Sequence, residues 1–301
     1  MIAIGATLAL ALTGFVGIQS ANAVTGKNCN LKSTPKNAQC DSVTYGALHR
    51  VGSLDAVVPV GGYTESQMSY IVAGMLYRFN ASGFPARDLV VTETVSSDFL
   101  TITQTIRTIK YSDGTPLVAG DVVNQFTRWV NSKSSASYIA KVEKVVAKDD
   151  RTLVWTLKSP YVDFHFALAQ QFLEIHPADR TDTKEKAAAY FKNPVSAGPM
   201  KVKTFTPGTD LFVAEANPNY WAKPVTKEIR VVTIPDANTR LAAFQAGTVD
   251  YVMELPLAAA QTKFDKTKYR VAAAKDSGTF MIAFNMGVGQ PNKALKDARA
   301  R

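Results

Sequence analysis

The sequence predicts a mixed α/β protein of two lobes or sub-lobes. Three observations carry this. Segments with a strand-like period of two alternate with segments whose apolar residues recur at helical spacing. Hairpin signals, short turns between two alternating runs, interrupt that order. A connector at Pro194–Pro199, with Ser196 and Gly198 between two prolines, precedes a shift to strand-like composition. The chain shows no internal repeat and no low-complexity tract.

The elements follow in order. Ser42–His49 alternates as a first strand, and a loop then runs to Gly61-Gly62. Thr64-Glu65-Ser66-Gln67 has the capping-box pattern, Thr64 as cap and Gln67 reaching back. Met68, Ile71, Val72, Met75 and Leu76 then form one apolar helical face. Val90–Val95 and Phe99–Arg107 read as a hairpin about Ser96-Ser97-Asp98. Ser112–Pro116 is a turn, and a helix follows with the stripe Val118, Val122, Phe126, Trp129 and Val130. Lys144–Val146 and Thr152–Leu157 form a second strand pair about Asp149-Asp150-Arg151, and Phe164–Phe172 a short apolar helix. Ile229–Ile234 is a strand. Asp236 caps a helix over Asn238–Ala246, which Gly247 ends. Val249–Met253 and Met281–Phe284 are further short strands.

Composition excludes some function classes. With 46% hydrophobic and 20% charged residues in 301, the chain is an ordinary globular protein rather than a disordered one. The formal charge is +9, yet Lys and Arg are scattered rather than run together, so nucleic-acid binding is not expected. Met1–Ala23 holds no charged residue, is apolar over Ile2–Val16 and ends in Ala21-Asn22-Ala23, the small-residue pattern at a signal-peptidase cut; 1–23 reads as an export signal although no Lys or Arg precedes it. Residues 24–41 are polar and read as a linker. The two cysteines, Cys29 and Cys40, flank part of it. They are either a short loop closed in an oxidising compartment, worth about 2–3 kcal/mol by loop entropy, or two free thiols.

A catalytic set is not visible. His49, His165 and His176 stand in no metal-ligand spacing, and there is no GxSxG elbow, Walker loop or dinucleotide fingerprint. Ser33-Thr34-Pro35-Lys36 matches SxxK by chance, in a proline-containing linker without its partner motifs. No catalytic residue, metal or cofactor is expected. The rival readings are a secreted α/β hydrolytic enzyme and a cell-wall-binding surface protein.

Five stretches in order carry a resemblance. They are Tyr111-Ser112-Asp113-Gly114-Thr115-Pro116-Leu117 with Ala119-Gly120-Asp121-Val122; Ala197-Gly198-Pro199; Asn217-Pro218-Asn219-Tyr220-Trp221; Ile234-Pro235-Asp236-Ala237-Asn238-Thr239-Arg240 running on to Asp250; and Phe284-Asn285, with Leu295–Arg301 closing the match. From about Asp41 onward the chain resembles the bacterial extracytoplasmic solute-binding proteins of family 5, the peptide/nickel-type receptors of ABC importers. Three departures stand out. Val118 replaces a helix-capping Thr; Asp98-Phe99 stands where Asp-Gly is common, which points to another turn type; and the sequence stops at Arg301, where the family continues into a long second lobe.

The resemblance implies a periplasmic-binding-protein-like α/β fold of the large peptide-binding type (class II), with mixed sheets and the second lobe largely missing. It implies a first lobe from 42–65 and 195–285, a subdomain inserted over 66–194, and the start of the second lobe at 286–301. It also implies a hinged clamp in which ligand between two lobes stabilises the closed form that the permease recognises. Partners would be a peptide or other small solute and the ABC permease subunits, with the receptor a monomer outside the cytoplasmic membrane. Gly61, Gly62 and Tyr63 after the first strand, and Phe284 and Asn285 near the hinge, are the expected ligand-binding residues. Asp113 and Gly114 are turn formers, and Tyr220 and Trp221 packing aromatics.

Overall fold

A computed structural model describes residues 40–58, 63–80, 82–224, 226–253 and 255. The first strand, β1 (Cys40–Ala47), is followed by helix α1 (Tyr63–Val72) and the short strands β2 (Tyr77–Phe79) and β3 (Pro85–Arg87). Strands β4 (Val90–Val95) and β5 (Thr101–Ile106) precede helix α2 (Ala119–Val130) and a 3-10 turn at Ala136–Ile139. Then come β6 (Val142–Asp149), β7 (Thr152–Leu157) and three short helices, α3 (Phe164–Leu168), α4 (Ala178–Thr181) and α5 (Lys184–Tyr190). Strands β8 (Met200–Thr204), β9 (Leu211–Ala216) and β10 (Thr226–Thr233), helix α6 (Ala237–Gln245) and strand β11 (Tyr251–Val252) complete the described elements.

Two main sheets result. In the first the order is β11-β1-β10-β9-β8. β1 runs parallel to both neighbours, with Val43 opposite Ile229 and Tyr45 opposite both Val231 and Tyr251. β10-α6-β11 is therefore a crossover unit that straddles β1, the connection parallel strands require. The second sheet, β4-β5-β7-β6, is antiparallel throughout. β5 and β7 alternate buried and half-buried residues, so Ile102, Gln104, Ile106, Leu153, Trp155 and Leu157 all face one core. Two hydrophobic clusters follow. One gathers Trp129 of α2, Trp155, Phe164 and Ile106 over the antiparallel sheet; the other gathers Tyr45, Met68, Phe212, Val231 and Phe191 over the mixed sheet.

The hairpins and α6 form where local sequence predicts them. Asp236 caps α6 by accepting from Thr239 N at 2.8 Å, and Gly247 takes φ +74° just past its end. Other expectations need correction. α1 begins at Tyr63, so Thr64 lies inside its first turn, and buried, rather than capping it. The helix also stops at Val72, short of Met75 and Leu76, which are buried in the segment beyond. Its end is docked onto backbone: Gly198 N donates to Val72 O at 3.0 Å, and a Cβ on Gly198 would lie 2.6 Å from the carbonyl oxygens of Ile71 and Ala73. Glycine is required there by close approach. The apolar helix at Phe164 ends at Leu168, not Phe172.

The two departures at Val118 and Phe99 are resolved by neighbouring side chains. Val118 is the N-cap of α2 and has no oxygen to offer, but Asp121 reaches back and accepts from Val118 N at 3.0 Å, half of a capping box. Val130, placed on the buried stripe by periodicity, is exposed, while Val122 and Trp129 are fully buried. At the β4–β5 turn, Phe99 itself adopts φ +59°, the left-handed conformation usual for glycine. A phenylalanine thus holds the left-handed position in this turn. Asp98 Oδ1 accepts from Leu100 N at 3.0 Å and Ser96 Oγ at 2.5 Å, which holds the loop closed.

A buried ion pair joins these parts. Arg78 Nε donates to Asp88 Oδ2 at 2.5 Å, with side chains 15% and 3% exposed. The same guanidinium donates to Tyr70 O and, at 2.6 Å, to Ala73 O, so it satisfies carbonyls at the end of α1. Asp88 Oδ1 accepts from Tyr220 OH and Trp221 Nε1, each at 2.6 Å. Asn217 and Asn219 of the same segment donate to Gly198 O (2.9 Å) and Tyr111 O (2.7 Å). Arg107 lies 3.9 Å over the Trp221 ring.

Two substitutions check this account. Asp88→Asn leaves the Arg78 charge buried without its counter-ion and is expected to cost about 3–5 kcal/mol in urea unfolding. Phe99→Gly removes the left-handed penalty, about 1–2 kcal/mol, against an entropic cost near half of that; a net gain of about 0.5–1 kcal/mol is expected in the same assay, since the ring is 61% exposed.

Candidate functional site

Beside α1 the mixed sheet forms one wall of an open groove of about 500 Å3. Val43 and Tyr45 of β1, Ile229 of β10 and Tyr251 of β11 line the sheet side. Tyr63, Gln67, Met68, Tyr70 and Ile71 of α1 line the other, and Phe79 with Ala169–Gln171 closes one end. These positions follow from the elements. The period of two in β1 puts residues 43 and 45 on one face, and the turn of α1 puts 63, 67, 70 and 71 on one side. The volume is that of a small-molecule site.

The groove contains no charged side chain among its lining residues and is rich in phenol rings. Tyr63 is 51% and Tyr251 47% exposed, so both present ring surface to the opening. Tyr45 and Tyr251 are in ring contact, centroids 5.2 Å apart. Burial, and then the neighbouring Tyr63, raise the pKa of Tyr251 above the usual phenol value, so the wall stays neutral. Gln67 Nε2 points to Met253 Sδ at 3.5 Å, and its buried Oε1 accepts no hydrogen bond. Arg240, buried, donates to Ile234 O (2.6 Å) and Met253 O (3.3 Å) and so ties the end of β11 to α6.

Of the expected ligand-binding residues, Tyr63 stands at this groove. Gly61, Gly62, Phe284 and Asn285 lie outside the described residues, as do Cys29, residues 1–23 and the strand expected at Met281–Phe284. Tyr45, Gln67, Tyr70 and Tyr251 were not singled out from sequence. Tyr45 and Tyr251 stand some two hundred positions apart and are brought together by the paired register of β1 and β11, while α1 supplies Gln67 and Tyr70. Asp113 and Gly114 form a turn, as read: Gly114 has φ +91°, and Asp113 Oδ1 accepts from Thr115 N while Oδ2 pairs with Arg180 at 2.7 Å.

A second cavity of about 600 Å3 lies between the 52–58 loop, α2 and α5, with Asp55, Arg128 and Phe191 in its wall. Arg128 pairs with Asp55 at 2.7 Å and covers the Phe191 ring at 5.2 Å.

The described histidines are structural in their contacts. His165 Nε2 meets Glu93 Oε1 at 2.8 Å, and Gln104 and Tyr77 donate to Oε2 at 2.7 and 2.8 Å. Burial would raise the Glu93 pKa, but the hydrogen bonds from His165, Gln104 and Tyr77 outweigh it and hold it down at about 2. His176 Nε2 stands 3.3 Å from Glu174 Oε2, with both side chains almost fully buried. Burial, reinforced by Arg128, pushes the His176 pKa down to about 3, and burial pushes Glu174 well above the carboxylate range. Burial thus disfavours the charged form of both partners in this contact. His49 is exposed. Among the described residues no three His, Cys, Asp or Glu stand close enough to hold a metal ion, and no helix is long and apolar enough to cross a membrane.

A mixed parallel sheet with an antiparallel sheet beside it and an open neutral groove on the first defines a periplasmic-binding class of fold. Comparison with known proteins makes this specific. Residues 85–301 match the family described as bacterial extracellular solute-binding proteins, family 5 Middle, and the chain belongs to that family. It is 28% identical over 251 residues to the nickel-binding periplasmic protein of Escherichia coli, covering 78% of this chain and 47% of that one. It is 27% identical over 282 residues to the dipeptide-binding protein of Lactococcus lactis, covering 83% and 48%. Among solved structures, the PBP AgaA in complex with agropinic acid from A. tumefacien R10 aligns with a TM-score of 0.67 at 26% identity, over 73% of this chain and 45% of that one. The chain thus spans about half the length of the curated relatives it matches.

The histidine pair sets a pH dependence. A folded-state pKa below the unfolded value gives stability that is complete above the unfolded value and is lost as pH falls toward the folded one. As pH falls from about 6.5 toward 3 the fold is expected to lose stability through His176, offset in part by Glu174, whose raised pKa acts in the opposite sense. His176→Gln is expected to flatten that acid limb in urea titrations repeated at several pH values.

Proposed function

We propose that this chain is the substrate-capturing part of an extracytoplasmic receptor that hands a peptide or similar small solute to an ABC permease. The observation that carries the reading is the open, tyrosine-lined groove on the mixed sheet, in a chain of the solute-binding family. A groove of this size buries one face of a small ligand and leaves the other for an opposing surface to cover. Ligand then stabilises the closed form through contacts unavailable to the open one.

In this reading residues 42–65 and 195–285 form the first lobe, 66–194 a subdomain inserted in it, and 286–301 the beginning of an opposing lobe. Residues 1–23 direct export, which puts the receptor outside the cytoplasmic membrane, and the residues from 24 up to β1 act as a linker; the receptor works as a monomer. The flanking residues Gly61 and Gly62 let backbone approach the ligand beside Tyr63, and Phe284 and Asn285 meet it from the hinge. Binding without turnover suits the neutral groove, which offers no nucleophile–base pair among the described residues.

A thermal-shift screen of the full-length protein against di- and tripeptides, nickel chelates and oligosaccharides tests this. Saturable stabilisation by one class without product is the expected result; at a concentration one hundred times Kd it amounts to about 2.7 kcal/mol. Chemical conversion of a compound would establish an enzyme instead, and retention on cell wall without any small-molecule stabilisation would establish a wall-binding protein.

A further inference from the structure

Three phenylalanines gather at the end of the groove that Phe79 closes. Phe79 of β2 is 37% exposed, Phe166 of α3 39%, and Phe84, in the β2–β3 turn, 61%. Their rings are in contact, with centroids 6.2 Å apart for Phe79–Phe166 and 6.1 Å for Phe84–Phe166. A cluster of large apolar rings left in water is unfavourable, and such patches mark surfaces that something covers. Continuity with the groove indicates what does. Phe79 belongs to both, so aromatic surface runs from Tyr251 and Tyr63, past Phe79, out to Phe84. The side-chain amides of Gln170 and Gln171 stand at the same end of the groove.

We propose that this track of rings, from Tyr251 and Tyr63 through Phe79 to Phe84, holds an uncharged oligosaccharide. The inference rests on the receptor reading and narrows its solute class. A sugar ring has a face of C–H groups, weakly positive at hydrogen, which lies well on the negative face of an aromatic ring. Its hydroxyls both donate and accept, and so match phenol hydroxyls and side-chain amides. A chain of sugars repeats these demands along its length, as the track repeats its rings. Other solutes fit less well. A free peptide brings an ammonium and a carboxylate, and the described groove lining holds no counter-ion for either. An alkyl chain gains by enclosure, whereas the groove is open and the phenylalanines are exposed.

The experiment is calorimetric titration of the full chain with glucose, maltotriose, cellotriose and free trialanine, repeated on Phe84→Ala and Tyr251→Ala. At least one trisaccharide is expected to bind the parent about tenfold or more tighter than glucose, because it reaches more of the rings. Phe84→Ala is expected to melt with the parent, its ring being mostly in water, and to lower the ratio of trisaccharide to glucose affinity about threefold to tenfold. Tyr251→Ala is expected to weaken the trisaccharide by a similar factor; should it melt below the parent, Phe84→Ala decides alone. A trisaccharide held no tighter than glucose overturns this inference, as does a ratio that Phe84→Ala leaves unchanged. A parent that binds trialanine as tightly as either trisaccharide, or that binds no sugar while another compound of the wider screen stabilises it, keeps the receptor reading and overturns the oligosaccharide track. A parent that no probe or screened compound stabilises overturns the receptor reading, and the track with it.

Discussion

The pair between Arg78 and Asp88 is the interaction on which the rest of this architecture hangs. Two charges withdrawn from water are unfavourable unless their remaining donors and acceptors are also satisfied. Here they are, and each extra hydrogen bond fastens a different piece of chain. Arg78 closes the end of α1 through Tyr70 O and Ala73 O. Asp88 receives Tyr220 and Trp221, which brings in the segment between β9 and β10. The helix so fixed carries Tyr63 and Gln67, and the strand so fixed lies beside β1. The ion pair thus supports the helical wall of the groove from behind, Arg78 lying over the ring of Tyr70 at 4.8 Å.

Local signals were legible and tertiary ones were not. The β4–β5 and β6–β7 pairs and the capped helix α6 could be placed because alternation, turn residues and an N-cap act within a few positions. The ends of α1 could not. Its start is not marked by Thr64, and its finish is decided by Gly198 and Arg78, distant in sequence. At Val118 the missing hydroxyl was visible, but the compensating carboxylate of Asp121 was not recognised as a reverse cap. Phe99 shows the opposite failure. The residue type argued for a new turn, yet the hydrogen bonds of Asp98 and Ser96 hold phenylalanine in a glycine conformation. For the site, Tyr63 could be named from its place after the first strand. Tyr45 and Tyr251 could not, because the register that unites them is a property of the sheet, and Gln67 read only as a helix-capping residue.

The distribution of charge separates scaffold from site. Arg78, Asp88, Arg128 and Asp55 are matched within the fold, and burial disfavours charge on Glu174 and His176. On the outer face of the mixed sheet Lys201, Lys203, Glu215, Glu228 and Arg230 form a ladder of ion pairs, partly screened by water and of small individual worth. Among the described residues the groove lining carries no charge. Ring faces and the amides of Gln67, Gln170 and Gln171 are what this groove offers to a solute.

The placement of β1 has a consequence for how the chain acquires its shape. This strand opens the described chain, yet it lies between β10 and β11, whose residues begin at Thr226 and Tyr251. During synthesis its partners do not exist until nearly two hundred further residues have been made, and closing so large a loop is slow. The amino-terminal strand therefore waits, unpaired, while the antiparallel sheet between Val90 and Leu157 can already assemble from neighbouring segments. A newly made chain of this design remains threadable at its leading end until late.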